Sequence, residues 1–459
     1  MSIRSQIISE VRASLFLALP LAGAQMAQAA IAFVDTAMMG KLGSQTLAAG
    51  GLGAITFGAL LIIGSGIVAA VSPIAAEAHG AGQPQKVGQV IRQGFGLAVL
   101  VALPMMVLIW NLRPLLHRLG QPEALLEQTE LYLRAIVWGY LPGLGFAILK
   151  DFASAISKPR SVIIITLCSV PLNILGNDVL MYGKFGLPAL GLEGIGWSST
   201  IVLWGMFLAI ALHIRSQRQF RIYGIFRGFP KFDRGVIQEL LHIGLPIGII
   251  AFVETGLFTV TTFLIGQIGV APLAAHQIAL ETAGVTFRIP LGIAFATTIR
   301  VGHLVGQKNL RGARFAGYVG IALGAIFMGS TALLFWTMPR PIVGLFLNVQ
   351  DPANAIVVEL AQVLLGVAAV FQIFDGIQVI AVGALRGLKD TRIPMLIGIF
   401  AYWGIGLVSG YGLGMVWGYG AVGLWWGLAL GLAVAAGVLT WRFSTIRLQT
   451  LGRTMGQIR

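Results

Sequence analysis

Twelve transmembrane helices in two six-helix bundles, related by a pseudo-two-fold axis along the membrane normal, are what this all-α sequence predicts. Three observations carry that expectation. First, of 459 residues 57% are hydrophobic and only 10% charged, with a mean hydropathy of +0.86, whereas soluble domains carry about 25% charged residues. Too little polar surface remains to coat a globule in water, and the bilayer is the solvent that fits. Second, the Lys and Arg residues gather in short clusters between apolar runs. Third, the two halves of the chain share short motifs at nearly constant spacing.

A helix that crosses the bilayer needs about 20 mainly apolar residues. The runs that qualify are 15–40, 47–72, 88–110, 131–153, 160–182 and 190–214, then 238–266, 273–299, 313–337, 357–385, 393–415 and 421–442. Pro20, Pro104, Pro142 and Pro246 fall inside them; neighbouring helices can re-satisfy the backbone groups that proline frees. The first run imitates a secretory signal, with Arg4 and Arg12 ahead of it and Ala27-Gln28-Ala29 as a small-residue cleavage site. It continues through Ile31-Ala32-Phe33-Val34 and has a second copy inside the chain, so it reads as the first helix. The lone Cys168 excludes an intrachain disulfide, and no Cys/His cluster suggests a zinc site.

The formal charge of +14 would suggest nucleic acid if it formed a surface stripe. Instead, 24 of the 31 Lys and Arg residues fall on the side that holds the N-terminus. The positive-inside rule makes that side the cytoplasm and places both termini there. Nucleic acid is therefore not an expected partner; membrane lipid is.

Leu19-Pro20 matches Leu245-Pro246, Gly40-Lys41-Leu42-Gly43 matches Gly266-Gln267-Ile268-Gly269, and Leu47-Ala48-Ala49 matches Leu273-Ala274-Ala275, all at an offset of 226 residues. His79 and Gly82-Gln83 echo His303 and Gly306-Gln307 at 224, and Gly194 and Trp197 echo Gly423 and Trp426 at 229. Six helices separate the copies, so both halves have the same orientation. The chain is expected to divide into an N-terminal bundle, 1–220, and a C-terminal bundle, 221–459. The join, 215–236, is rich in Arg and reads as a solvated cytoplasmic linker that tolerates an insertion near Gln219.

Charge inside a span is costly, about 2.5–3.5 kcal/mol for an Asp at a helix centre on insertion scales. Asp35, Glu254, Glu281 and Asp375 lie inside the spans. Asp35 shares a helix face with Gln25, Gln28 and Ala32, and Glu254 shares one with Phe258, Thr261 and Ile265. Asp375 is flanked by Gln372 and Gln378 at three residues each way. Polar stripes of this kind suit a watered cavity, with structural hydrogen bonds between helices as the plainer alternative. Glu281 and Arg288, seven apart on one helix, read as a structural pair.

Phe33-Val34-Asp35-Thr36, Met39-Gly40 and Leu47-Ala48-Ala49 resemble the first-helix signature of multidrug and toxic compound extrusion (MATE) transporters. Gly244-Leu245-Pro246, Glu254, Ala274-Ala275-His276-Gln277 and Ile299-Arg300-Val301-Gly302-His303 resemble the seventh and eighth helices of the NorM-type branch. Asp375-Gly376-Ile377-Gln378 with Gly383-Ala384-Leu385-Arg386-Gly387 resembles the tenth. The resemblance covers essentially the whole chain. It implies a central cavity and export of small organic cations, such as drugs and dyes, in exchange for entering Na+ or H+. It assigns cation coupling to Asp35, Glu254 and Asp375, with a possible Na+ at Glu254 and Asp375 and no other metal. Gln25, Gln28, Phe258, Thr261, Gln372 and Gln378 are the candidate cavity residues.

The reading further expects no enzymatic activity, no organic cofactor, a monomer and a plasma (inner) membrane location. A lipid-linked oligosaccharide flippase of related fold is the alternative; it would want a basic cavity, and these spans are acidic. Membrane-embedded enzymes are disfavoured because HExxH, GxSxG and Walker A motifs are absent. Single-cysteine labelling in a Cys168→Ser background tests the topology. Cysteines placed between 215 and 236 should react only from the cytoplasmic side, and external labelling there would overturn both the topology and the repeat.

Overall fold

The computed structural model describes residues 3–118, 120–227 and 233–446. All-helical as expected, it has twelve helices long and apolar enough to cross a membrane. They are α1 (Arg4–Lys41), α2 (Ser44–Gly80), α3 (Pro84–Trp110), α4 (Leu125–Ala155), α5 (Arg160–Tyr182) and α6 (Gly191–Ser216), followed by α7 (Arg234–Ile268), α8 (Val270–Gly306), α9 (Leu310–Thr337), α10 (Pro352–Gly387), α11 (Arg392–Val416) and α12 (Gly420–Thr445). Each corresponds to one apolar run of the sequence, and the chain is an integral multi-pass membrane protein.

Several helices outrun their apolar cores. Hydropathy ends the second and eighth spans near 72 and 299, yet the second resumes after a turn at Ala69-Ala70 as a helix to Gly80, and the eighth continues to Gly306. The continuations are built of good helix formers such as Ala75-Ala76-Glu77-Ala78. His79 and His303 therefore occupy last helical turns instead of loops.

The chain forms two compact units. The N unit is Gly23–Phe252, and the C unit is Met1–Ala22 together with Val253–Arg459. The repeat-related helices α1 and α7 each contribute to both units, α1 dividing after Ala22 and α7 after Phe252. Bulky side chains fill each interior: Tyr132, Tyr140 and Phe152 in the N unit, Phe335, Tyr402, Trp425 and Phe443 in the C unit.

The internal repeat has a physical basis at two kinds of position. Gly43 and Gly269, 226 residues apart, begin α2 and α8 with φ of 113° and 153°. Side chains rarely adopt such angles, which is why the Gly-x-x-Gly motif recurs. Within the N unit a first side-chain carbon on Gly66 would lie 2.8 Å from Gly248 Cα. In the C unit the same carbon on Gly292 would lie 2.7 Å from the backbone nitrogen of Ala22. Gly66 and Gly292 are 226 apart in the sequence, and so are Ala22 and Gly248. Each unit is thus closed by a backbone-to-backbone crossing that only small residues permit, the packing mode of helices in lipid.

The solvated-linker expectation is corrected. Phe220, Tyr223 and Ile225 are buried. Phe152 meets Phe220 and Tyr223 edge-on at 6.0 and 5.2 Å between ring centres. The Arg92 guanidinium donates to the Gly224 carbonyl at 2.7 Å, and Tyr223 Oη lies 3.2 Å from His79 Nδ1. Burial beside those rings pushes the Tyr223 hydroxyl above its ordinary pKa. Aromatic residues in an Arg-rich stretch fold it against α2, α3 and α4; its central part, 228–232, lies outside the described residues. An insertion at Gln219 should accordingly lower the thermal midpoint of the purified protein, and Phe220→Ala should destabilise by about 3 kcal/mol. Unchanged melting of both variants in detergent would show that the aromatic packing contributes nothing.

Candidate functional site

The sequence-predicted acids fall in both units, with different surroundings. Asp35 is buried in the N unit. Its Oδ1 accepts from Asn177 Nδ2 at 2.6 Å and from Asn173 Nδ2 at 3.1 Å, and its Oδ2 from Ser199 Oγ at 3.1 Å. The donors lie on α5 and α6, so one carboxylate ties three helices together. The α5 residues belong to a buried stripe, Thr166, Ser169, Asn173 and Asn177, spaced by three and four. That stripe was visible in the sequence but carries no charge, and a search for charged residues passes over it. Gln25 and Gln28 are half-buried on α1.

In the C unit, Glu254 on α7 and Asp375 on α10 lie within each other's electrostatic field, and Arg386 on α10 acts on Glu254. The face of α7 with Phe258, Thr261 and Ile265 turns inward as its spacing predicts: Thr261 and Ile265 are buried, Phe258 half-buried. Both glutamines flanking Asp375 are buried and each uses one end of its amide. Gln372 Oε1 accepts from Thr286 Oγ1 at 2.9 Å, and Gln378 Nε2 donates to the Tyr402 hydroxyl at 2.5 Å. The opposite ends are open. Asp375 Oδ1, Gln378 Oε1, Thr261 Oγ1 and Gln372 Nε2 are buried without a hydrogen-bond partner. Buried polar atoms are nearly always paired, so this unit holds unused coordinating oxygens where the N unit has committed those of Asp35.

Beside them runs a complete chain of hydrogen bonds. Trp425 Nε1 can only donate, so His276 Nδ1, 3.1 Å away, accepts. The ring is then neutral with its proton on Nε2, which donates to Thr262 Oγ1 at 2.9 Å, and Thr262 passes its own proton to the Phe258 carbonyl at 2.9 Å. Phe371 packs edge-on against both Phe258 and Trp425, at 6.2 and 5.3 Å between ring centres. Nothing in the spacing of His276 or Trp425 announced this chain, because its members come from α7, α8 and α12.

Glu281 is exposed and Arg288 half-buried; the two attract along α8 without a hydrogen-bonded ion pair among the described residues. A bidentate pair forms elsewhere: Glu10 Oε1 and Oε2 accept from Arg300 Nε at 2.8 Å and Nη2 at 2.6 Å, fixing the start of α1 to the end of α8. Among the described residues no three His, Cys, Asp or Glu side chains gather as a metal-binding group. The donors of the C unit, two carboxylates with amide and hydroxyl oxygens, suit a proton or a hard monovalent cation instead.

The family model described as MatE matches residues 20–179 and 246–412, most of the chain. The chain belongs to the MatE family. Curated relatives span nearly its full length. It is 42% identical to "Probable multidrug resistance protein NorM" of Synechococcus sp., covering 98% of this chain and 97% of the relative. It is 43% identical to the protein of the same description from Pseudomonas aeruginosa, covering 96% and 90%, and 42% identical to "Multidrug resistance protein NorM" of Burkholderia vietnamiensis, covering 93% and 92%. Two solved structures share the MatE fold at 18% identity: the eukaryotic MATE transporter AtDTX14, with a TM-score of 0.87 over 99% of this chain and 100% of that one, and an outward-facing multidrug resistance MATE family transporter, with 0.87 over 96% of each.

His276→Leu should strand the Trp425 and Thr262 partners and destabilise the MatE chain by about 1–3 kcal/mol per orphaned group. A thermal midpoint in detergent equal to wild type would remove the chain from any account of C-unit stability.

Proposed function

We propose that this protein is a secondary active multidrug efflux antiporter that exports small organic cations in exchange for Na+ or H+. The observation that carries the reading is the C unit's pair of acids, Glu254 and Asp375, with Asp375 Oδ1 and the neighbouring Gln378 Oε1 buried and unpaired. The NorM relatives, described as multidrug resistance proteins, support it. A transporter of this kind makes and breaks no covalent bond and needs no organic cofactor.

Competition is the mechanism. Charge that is costly within the bilayer attracts a cationic substrate, and the aromatic face of Phe258 adds cation–π attraction. A coupling cation entering from outside neutralises the same carboxylates and releases the substrate. One positive charge moving inward down 100 mV supplies about 2.3 kcal/mol. Asp35, with Gln25 and Gln28 on the same helix, is the counterpart in the N unit: a carboxylate whose three donors must rearrange before it can take up a cation. Gln372 and Gln378 complete the C-unit lining.

The same reading keeps both termini in the cytoplasm, the plasma (inner) membrane as location, the bundles at 1–220 and 221–459, and a monomer as the working form, with lipid as its surroundings. None of the three relatives named above is described as an oligosaccharide flippase.

Substitutions that remove charge and keep shape test the proposal. Glu254→Gln and Asp375→Asn should each abolish ethidium efflux driven by imposed Na+ or H+ gradients in everted vesicles, at wild-type expression. Asp35→Asn should impair it. Full gradient-driven efflux by the Glu254→Gln/Asp375→Asn double variant would end the proposal.

A further inference from the structure

Between Glu193 and Asp233 the chain carries five basic residues, Arg215, Arg218, Arg221, Arg227 and Lys231, and no acidic one. Lys231 lies outside the described residues. Sequence of one charge sign ordinarily stays solvated, but this segment is folded. Arg218–Tyr223 form a 3-10 helix, in which three residues per turn stack every third side chain on one face. The first face is Phe220 and Tyr223, buried against Phe152. The second is Arg218 and Arg221, both exposed. The third carries Ile222, which is 62% exposed. The aromatic face fixes the other two, because neither can turn inward without withdrawing the rings.

The turn that follows brings in another basic pair. Gly224 reverses the chain at a φ of 59°, and its carbonyl accepts from Arg227 N at 3.2 Å as well as from Arg92 Nη1 at 2.7 Å. A first side-chain carbon on Gly224 would lie 3.5 Å from Arg227 Cδ and 3.8 Å from Arg92 Nη1, so two arginine side chains converge on one glycine. Phe226 beside them is 41% exposed. Like charges gathered in this way repel unless an anion lies among them. Among the described residues Arg215, Arg218, Arg221 and Arg227 form no ion pair. Asp233 is already committed, accepting from Gln89 Nε2 at 2.6 Å and from the Gly235 and Val236 amides that open α7.

We propose that this folded segment, 215–227, is a binding surface for anionic phospholipid, with Arg218, Arg221 and Arg227 on the headgroup phosphates and Ile222 and Phe226 against the acyl boundary. Its position supports a lipid partner: Arg218 stands two residues beyond Ser216, so the segment begins where the membrane-spanning α6 ends. Basic side chains interleaved with exposed apolar ones suit the interface of an anionic bilayer, where phosphate and hydrocarbon lie side by side. A soluble polyanion would match the charge and leave Ile222 and Phe226 uncovered. The surface belongs to the N unit and uses neither acid of the C unit, so it stands apart from the antiport reading. Because Phe220 and Tyr223 hang the segment on the helix that carries Phe152, lipid bound to its outer faces also stabilises the N unit.

The test is thermal unfolding of the purified full chain in dodecyl maltoside micelles titrated with phosphatidylglycerol or, in parallel, with phosphatidylcholine. Phosphatidylglycerol should raise the midpoint to a plateau, less effectively as salt is added, and phosphatidylcholine should not. Arg218→Gln and Arg221→Gln should each raise the half-saturating fraction of phosphatidylglycerol about fivefold, the equivalent of about 1 kcal/mol per charge removed. Arg218→Lys keeps the charge and should titrate like wild type, whereas Ile222→Ser keeps every charge and should still weaken the response. Equal phosphatidylglycerol titrations for wild type and both Gln variants would overturn the proposal. So would an equal rise with inorganic pyrophosphate in place of lipid, which would make the surface a site for soluble anions. If a Gln variant melts lower in phosphatidylcholine alone, the phosphatidylglycerol that it retains in native mass spectrometry decides instead. Fewer lipids held than by wild type supports the surface, and equal numbers refute it.

Discussion

A carboxylate placed in hydrocarbon must find a donor, a countercharge or a cation, and the membrane supplies none of them. Much of this molecule's polar architecture follows from how its buried acids meet that demand. Asp35 draws three donors from α5 and α6 and becomes a junction between helices. Glu10 takes the Arg300 fork in a bidentate pair. Glu254 and Asp375 instead share a neighbourhood with Arg386, Tyr402 and two half-used glutamines. Acceptors left open there are an electrostatic demand that the surrounding helices do not meet.

Small residues make the second contribution. With no hydrophobic force between helices in lipid, close approach of backbones is what holds them. The crossings at Gly66 against Gly248 and Gly292 against Ala22 place the same geometry in both units. Because α1 and α7 each belong partly to one unit and partly to the other, these crossings sit on the two helices whose halves answer to different neighbours. A bulky residue at Gly66 or Gly292 would force these helices apart.

Aromatic side chains add the fine placement. Trp425, Phe371 and Phe258 pack edge-on in series, and the hydrogen-bond chain through His276 to Thr262 fixes which way the imidazole faces. Rings in these positions contribute apolar bulk and one directed polar atom each, so orientation comes without a further charge to bury. Beyond the end of α6, Phe220 and Tyr223 do similar work, folding a basic stretch onto the N unit that composition alone assigns to solvent.

The sequence by itself determined the number of spans, their order, the repeat and which acids lie within the membrane. Those properties follow from apolar run length and from the high cost of intramembrane charge, both local to the chain. Gly43 and Gly269 were readable as a repeated motif, though the positive φ that requires them was not. Tertiary structure decided the partners: Asn173, Asn177 and Ser199 for Asp35, Arg300 for Glu10, Tyr402 for Gln378, and Trp425 for His276. Each of these contacts joins residues more than 20 apart in sequence. A helix declares which face is polar through its 3.6-residue period, but nothing in that period says which helix will lie against it. Packing makes that choice, through volume and small-residue crossings, and those are properties of the assembled fold.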